Sequence, residues 1–214
     1  MNPDKLYIQY GCGLSAPTEW VNFDSSPTLR VQKSPIIGGL LAERFQGFRF
    51  PDNVRYGDIV KGLPIKENSC EGVYCSHVLE HLSREDFEKA IENSFKVLRP
   101  NGKFRLVMPD LSVYVSHYLR MKEQNDHNAS MVFIHNTLMG ESTRSKTFFD
   151  LLKTAFGNSK HLWLWDFEST EYHLKKAGFK TIRTCKFNDS QDEMFKQVES
   201  LDRFQNALAI EAIK

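Results

Sequence analysis

The sequence predicts an α/β fold in which a mostly parallel sheet is covered on both faces. Three observations carry the prediction. Short apolar runs alternate with segments of helical periodicity along most of the chain. A glycine turn, Gly11-Cys12-Gly13, directly follows the first apolar run. An acidic residue, Asp24, closes the second run eleven residues after Gly13. In such sheets the ligands sit beyond the carboxyl ends of the strands.

The first strand reads as Leu6 to Tyr10 and the second as Trp20 to Phe23. About six residues separate Gly13 from the second strand, room for roughly one helical turn. Gly11 and Gly13 reach backbone conformations closed to other residues and let a ligand approach the peptide plane. Gly11 to Ala16 also fits the loose G-x-G-x-x-A dinucleotide pattern, which chance often produces. Residues 28–55 read as a short helix and a loop carrying Gly38-Gly39 and the Phe45/Phe48/Phe50 cluster.

Val54 to Ile59 reads as a short strand leading into a second acidic residue, Asp58. Leu63 to Ser69 is turn-rich, and Glu71 to Ser76 is a buried strand followed by His77-Val78-Leu79-Glu80-His81-Leu82. Ser83-Arg84-Glu85-Asp86 has the form of a capping box for a helix carrying Phe87, Ala90, Ile91, Phe95 and Leu98. Arg99-Pro100-Asn101-Gly102 stops that helix, and Phe104 to Met108 is the next strand, closed by Pro109-Asp110. Leu111, Tyr114, Val115, Tyr118 and Leu119 mark another helix. Residues 123–160 read as a helical lid insertion whose apolar face is Phe148, Leu151, Leu152, Ala155 and Phe156. Ser169 is positioned to cap a helix ending at Ala177-Gly178, and Phe179–Phe187 and Ala207–Ile213 supply the last strands.

Composition bounds the function. The 214 residues suit a single domain, 1–214, with decorations. Net charge is +1, which lacks the basic surplus of a dedicated nucleic-acid binder. No apolar run is long enough to span a bilayer. Cys12, Cys70, Cys75 and Cys185 form no C-x-x-C pair, so a zinc ribbon is unsupported and free thiols in a reducing cytoplasm are expected.

Gly11 to Gly13, Asp24, Asp58, Ser76-His77 and Pro109-Asp110 all fall at predicted carboxyl strand ends, and their convergence on one rim outweighs any single motif. A lone Asp usually caps a loop; two at successive rim positions favour cofactor binding. His77, Glu80 and His81 invite a metal reading, but H-V-L-E-H is not H-E-x-x-H, so no metal is expected. His81 and Glu80 either brace the helix start or, for His81, act in catalysis. His77 directly follows a strand end and is the stronger candidate base, with Asp110 and His161 as competitors. Trp163 and Trp165 suit core packing or a substrate wall.

With these residues assembled, the chain resembles a class I S-adenosylmethionine-dependent methyltransferase, in particular the small "type 11" group often associated with glycan and surface-polysaccharide biosynthesis. The resemblance rests on Tyr10-Gly11-Cys12-Gly13, Trp20 to Asp24, Tyr56-Gly57-Asp58, Val73 to Leu82, Val97 to Lys103, Ala177-Gly178-Phe179 and Ala209 to Lys214. It implies a Rossmann-like, seven-stranded sheet with an antiparallel last strand, and S-adenosylmethionine as cofactor. By the same resemblance, Tyr10, Gly11, Cys12 and Gly13 pass under the methionine part, Asp24 takes the ribose hydroxyls, Asp58 and Ile59 border the adenine, and Ser76 and His77 border the methionine end. The acceptor implied is a small molecule or glycan precursor. Asn101 replaces the commoner glycine of its turn, and asparagine tolerates the same left-handed conformation. The alternatives are a nicotinamide-dependent oxidoreductase or epimerase, disfavoured by the short first crossover, and a non-catalytic scaffold keeping the fold.

Overall fold

Seven strands pair into one sheet: β1 Leu6–Tyr10, β2 Val21–Asp24, β3 Val54–Tyr56, β4 Cys70–Ser76, β5 Leu98–Pro109, β6 Thr181–Thr184 and β7 Ala207–Ile213. The computed structural model describes residues 5–34, 49–140 and 160–214. The strands lie in the order β3-β2-β1-β4-β5-β7-β6. Only β7 runs against its neighbours; every other pairing is parallel. The expected architecture is therefore the observed one. Among the described residues the helices are α1 Pro27–Gln32, α2 Arg84–Val97, α3 Leu111–Glu123, α4 Ala129–Asn136 and α5 Phe167–Ala177.

The two faces are covered differently. On one, Phe87, Ala90 and Ile91 of α2 and Leu174 of α5 pack with Ile8, Val73, Leu106 and Ile210 of the sheet. Trp165 stacks on Phe87 with ring centroids 4.0 Å apart, and burying each such side chain stabilises by about 1.5–3 kcal/mol. On the other face, Tyr7, Tyr74, Val107 and Ala209 pack against Trp20, Phe195 and Val198. There the cover is an irregular segment containing two 3₁₀ turns, Glu193–Gln197 and Leu201–Phe204. Leu29 of α1, packed with Cys12, Phe50 and Val54, continues this layer.

Several boundaries move. Between Gly13 and β2 there are turns but no helical turn. β5 starts at Leu98 rather than Phe104, because Arg99–Gly102 stays within the strand as an irregularity opposite Cys70 and Gly72. Asn101 has the left-handed φ of +64° that its turn requires. The cap of α5 is Asp166, not Ser169: Ser169 occupies the third helical position and completes a capping box. The strand expected over 179–187 is only Thr181–Thr184, since Cys185 onward leaves the sheet to cover its face. Of the expected lid, residues 123–140 and Lys160 are described, with α4 packing Phe133 edge-on to Tyr118 of α3. The face Phe148 to Phe156, and Gly38, Gly39, Phe45 and Phe48, lie outside the described residues.

One row of residues crosses all seven strands in register: Val54, Asn22, Gln9, Tyr74, Arg105, Glu211 and Arg183. Most of it is polar although it lies under the irregular cover. A loop offers backbone groups that need partners, and a buried polar side chain supplies them. Gln9 donates to the Ser15 carbonyl and to Asn22, and Asn22 donates to the Pro17 and Trp20 carbonyls. These bonds hold the short β1–β2 crossover without a helix. At the other end, buried Arg105 donates to Glu199 at 2.6 Å, Glu211 at 2.9 Å, Asp189 at 3.1 Å and the Lys186 carbonyl at 3.1 Å. Arg183 adds bonds to Asp189 and Glu211.

This cluster sets an acid limit. Burial would raise the Asp189 carboxyl, but hydrogen bonds from Arg183, the Lys186 amide and Arg105 outweigh it and hold the group down at about 2. Glu211 is lowered in the same way, against its burial, by Arg105, Arg183 and Ser190. For a folded value below the unfolded one, the stabilisation is complete above about pH 4 and is lost as pH falls toward 2. Glu199 opposes this, because its burial raises it above the ordinary value. Asp189→Asn is therefore expected to be less stable than the wild type at pH 6, with the gap narrowing steadily between about pH 4 and 2 in urea melts. A gap that stays constant across that window contradicts the assignment.

Candidate functional site

The carboxyl ends of β1 and β4 border a cleft of about 110 Å³ lined by Tyr10, Gly11, Cys12, Tyr74, Ser76 and Arg203, among others. Gly11 and Gly13 have φ of +64° and +55°. A Cβ on Gly11 would lie 2.1 Å from Val78 Cγ2, whereas one on Gly13 would meet nothing within 4 Å. The loop thus packs tightly on one side and faces open space on the other. Asp24 ties it down: one carboxylate oxygen accepts from Gly13 N at 3.1 Å, the other from Ser26 N at 2.8 Å. Ser76 Oγ is buried, with no hydrogen-bond partner. Burial pushes the Cys12 thiol up to about 12, with Asp24 adding to the shift, so Cys12 lines the loop uncharged.

Asp58 lies just past β3, whose following residue Gly57 donates to the Asp24 carbonyl. Its carboxylate accepts from Val60 N and pairs with Lys61 at 3.0 Å. The Ile59 side chain is buried in the main core. Asp110 caps α3 through Ser112 N at 2.9 Å and bridges to Trp165. Trp165 is core, while Trp163 is 43% exposed.

The fold brings His77, Glu80, His81 and His161 together. His77 sits at φ +53° directly after β4. Its Nε2 faces the Arg203 carbonyl at 2.9 Å, and its Nδ1 lies 3.2 Å from Glu80 Oε1. Both partners are acceptors, an arrangement that favours protonation of the ring. Burial alone would lower its pKa, but Glu80 and the Arg203 carbonyl raise it. Each ring nitrogen of His77 thus faces an acceptor, whereas its sequence position led to the expectation of a base with a free lone pair. His81 and Glu80 lie in a single 3₁₀ turn, Leu79–His81. His81 Nδ1 donates to the Lys160 carbonyl at 2.7 Å. Leu162 N and Trp163 N both donate to the Glu80 carbonyl, which clamps His161 against the turn. Burial lowers the His161 pKa, with Glu80 opposing it.

Two features escaped the sequence reading. The segment 198–203 forms a wall of the cleft, and its only signal was buried-type Phe195 and Val198 in a polar stretch. Glu80 is 1% exposed, although its neighbours read as a helix start. Tyr-x-x-x-Lys spacing occurs at Tyr118–Lys122 and Tyr172–Lys176. Tyr118 packs on Phe133, Tyr172 is exposed and Lys176 pairs with Glu88; none lines the cleft.

Residues 8–106 match the family described as a methyltransferase domain. No curated protein matches the sequence. Among solved structures, a SAM-dependent methyltransferase from Archaeoglobus fulgidus is 15% identical with a TM-score of 0.51, over 99% of this chain and 87% of that one. A possible histamine N-methyltransferase from Thermotoga maritima is 15% identical with a TM-score of 0.50, over 100% and 84%. Phosphoethanolamine N-methyltransferase 2 from Haemonchus contortus, solved with S-adenosyl-L-methionine, is 14% identical with a TM-score of 0.49, over 100% and 49%.

Proposed function

We propose that the chain is an S-adenosylmethionine-dependent methyltransferase that methylates a hydroxyl or amine of a small polar or sugar-like acceptor, a reading supported by the methyltransferase-domain match over residues 8–106. The observation that carries this reading is the convergence of the open glycine loop, the anchored Asp24 carboxylate and the unpartnered Ser76 Oγ on one group of strand ends. The residues suit the cofactor. Gly13 faces space that a side chain would otherwise fill. Each Asp24 oxygen accepts one backbone amide and keeps a lone pair for a ribose hydroxyl. The cleft of about 110 Å³ is small beside ligand pockets of roughly 300–1,000 Å³, so a bound cofactor would extend beyond it.

On this reading Tyr10 to Gly13 run beneath the methionine part, Asp58 and Ile59 border the adenine, and Ser76 and His77 border the methionine end. The bound cofactor supplies an electrophilic methyl group. The chain's work is alignment and exclusion of water. His77, held at both nitrogens, positions Glu80 and the wall at Arg203 rather than taking a proton. Exposed Trp163, two residues after His161, offers a flat face to a sugar ring.

Calorimetry tests the reading. The wild type should bind S-adenosylmethionine or its demethylated product and not NAD. Asp24→Ala should weaken that binding by about 1.5–3 kcal/mol, the range for hydrogen bonds to a charged group. Tight NAD binding without response to the methyl donor would overturn it.

A further inference from the structure

We propose that Glu80, His81 and His161 form a binding site for a divalent transition-metal ion of zinc type. One potential ligand atom from each residue lies within 4.8 Å of the other two. Glu80 Oε1 stands 4.0 Å from His81 Nε2 and 4.0 Å from His161 Nε2. Tetrahedral ligands at bond lengths near 2.1 Å lie about 3.4 Å apart, so a bound ion requires only a small inward movement.

Two independent observations point to a ligand. The first is the state of Glu80. Its carboxylate is almost wholly buried; Oε2 has no hydrogen-bond partner, and Oε1 has only the His77 imidazole 3.2 Å away. A buried carboxylate with one oxygen left unpartnered is costly, and a bound cation offsets that cost. The second is the tautomer of His81. Its Nδ1 faces a carbonyl at 2.7 Å, which only accepts, so Nδ1 carries the hydrogen and the lone pair of the neutral ring lies on Nε2, toward Glu80. Metal-binding histidines are oriented in this way, by a backbone carbonyl on the far nitrogen. His161 also has a buried ring nitrogen, Nδ1, without a partner.

The three residues are held by backbone. Leu162 N and Trp163 N bond the Glu80 carbonyl at 2.8 and 3.2 Å, which docks the His161 segment onto the turn carrying Glu80 and His81. His77, 3.2 Å from Glu80 Oε1, acts as a positioning residue. Two imidazoles and one carboxylate suit zinc or a similar first-row ion and leave a coordination position for water or a substrate oxygen. That the substrate oxygen is the methyl acceptor rests on the function proposed above; binding of the ion does not.

The test uses the whole chain stripped with a chelator. Zn²⁺ titration against a chromophoric competitor should give one tight site per chain, and Co²⁺ should give the visible absorption of a low-coordinate site. His161→Ala should weaken Zn²⁺ binding by at least about a hundredfold, beyond the ten- to hundredfold loss of an outer-shell change. Glu80→Gln should do the same, and His117→Ala, on α3, should not. Circular dichroism reports folding; if Glu80→Gln unfolds, the His161→Ala arm decides. Absence of a stoichiometric site in the wild type, or equal affinity in His161→Ala, overturns the proposal. Binding of S-adenosylhomocysteine, measured on the same stripped protein, reports on the methyltransferase reading separately.

Discussion

Arg105→Met is expected to lower the stability of the chain by about 3–5 kcal/mol, the range for breaking a buried ion pair from one side. Methionine keeps most of the volume, so the loss is electrostatic rather than a cavity. Arg105 is fully buried and donates to Glu199, Glu211, Asp189 and the Lys186 carbonyl. Without it, Glu199 keeps only the Asn188 amide among its hydrogen-bond donors, and Glu211 and Asp189 lean on Arg183. The segment that Glu199 anchors also walls the cleft, so cofactor affinity should fall with stability. Urea melts of Arg105→Met, alone and combined with Glu199→Gln, read the effect. The double variant should regain part of the loss, because it removes a stranded charge. A loss below about 1 kcal/mol, the level of an exposed pair, would show that the cluster does not hold the cover in place.

Gly11→Ala is expected to cost about 2–5 kcal/mol, from two sources. Its φ of +64° is strained for an L-residue by about 1–2 kcal/mol. Its Cβ would also stand 2.1 Å from Val78 Cγ2, and overpacking of this kind costs about 1–3 kcal/mol. Gly13→Ala separates the two. Its φ of +55° carries the first cost, but its Cβ meets nothing within 4 Å. Gly13→Ala should therefore stay more stable than Gly11→Ala while losing affinity for S-adenosylhomocysteine, since its methyl enters the open side of the loop. Thermal melts and calorimetry on both variants check this. Equal stability would mean that Val78 yields freely and that Gly11 is required only for its backbone.

Much of this was legible from local pattern. Apolar runs alternating with helical periodicity determined the sheet, because strands buried on both faces and amphipathic helices leave distinct periods. Gly11, Gly13, Asp24 and Ser76 were placed at strand ends by position alone. Gly178, at φ +113°, ends α5 as its sequence indicated. The cap of α5 was misplaced because a capping box is reciprocal: Asp166 and Ser169 both carry the bonds, and sequence does not say which stands first.

The polar row was written in the sequence as Gln9, Asn22, Arg105 and Glu211, single polar residues inside apolar strands, but not its purpose. That depended on which face each residue takes and on loops distant in the chain. Asp189 and Glu199 reach Arg105 across 84 and 94 residues, and no periodicity reports such a separation. The histidine cluster shows the same division. The sequence by itself determined that His77, Glu80 and His81 follow a strand at the rim. Tertiary structure alone decided that Glu80 is buried, that His77 is spent on two acceptors, and that His161 closes the group. A side chain's free lone pairs depend on every neighbour it meets, and most of those neighbours are brought by the fold.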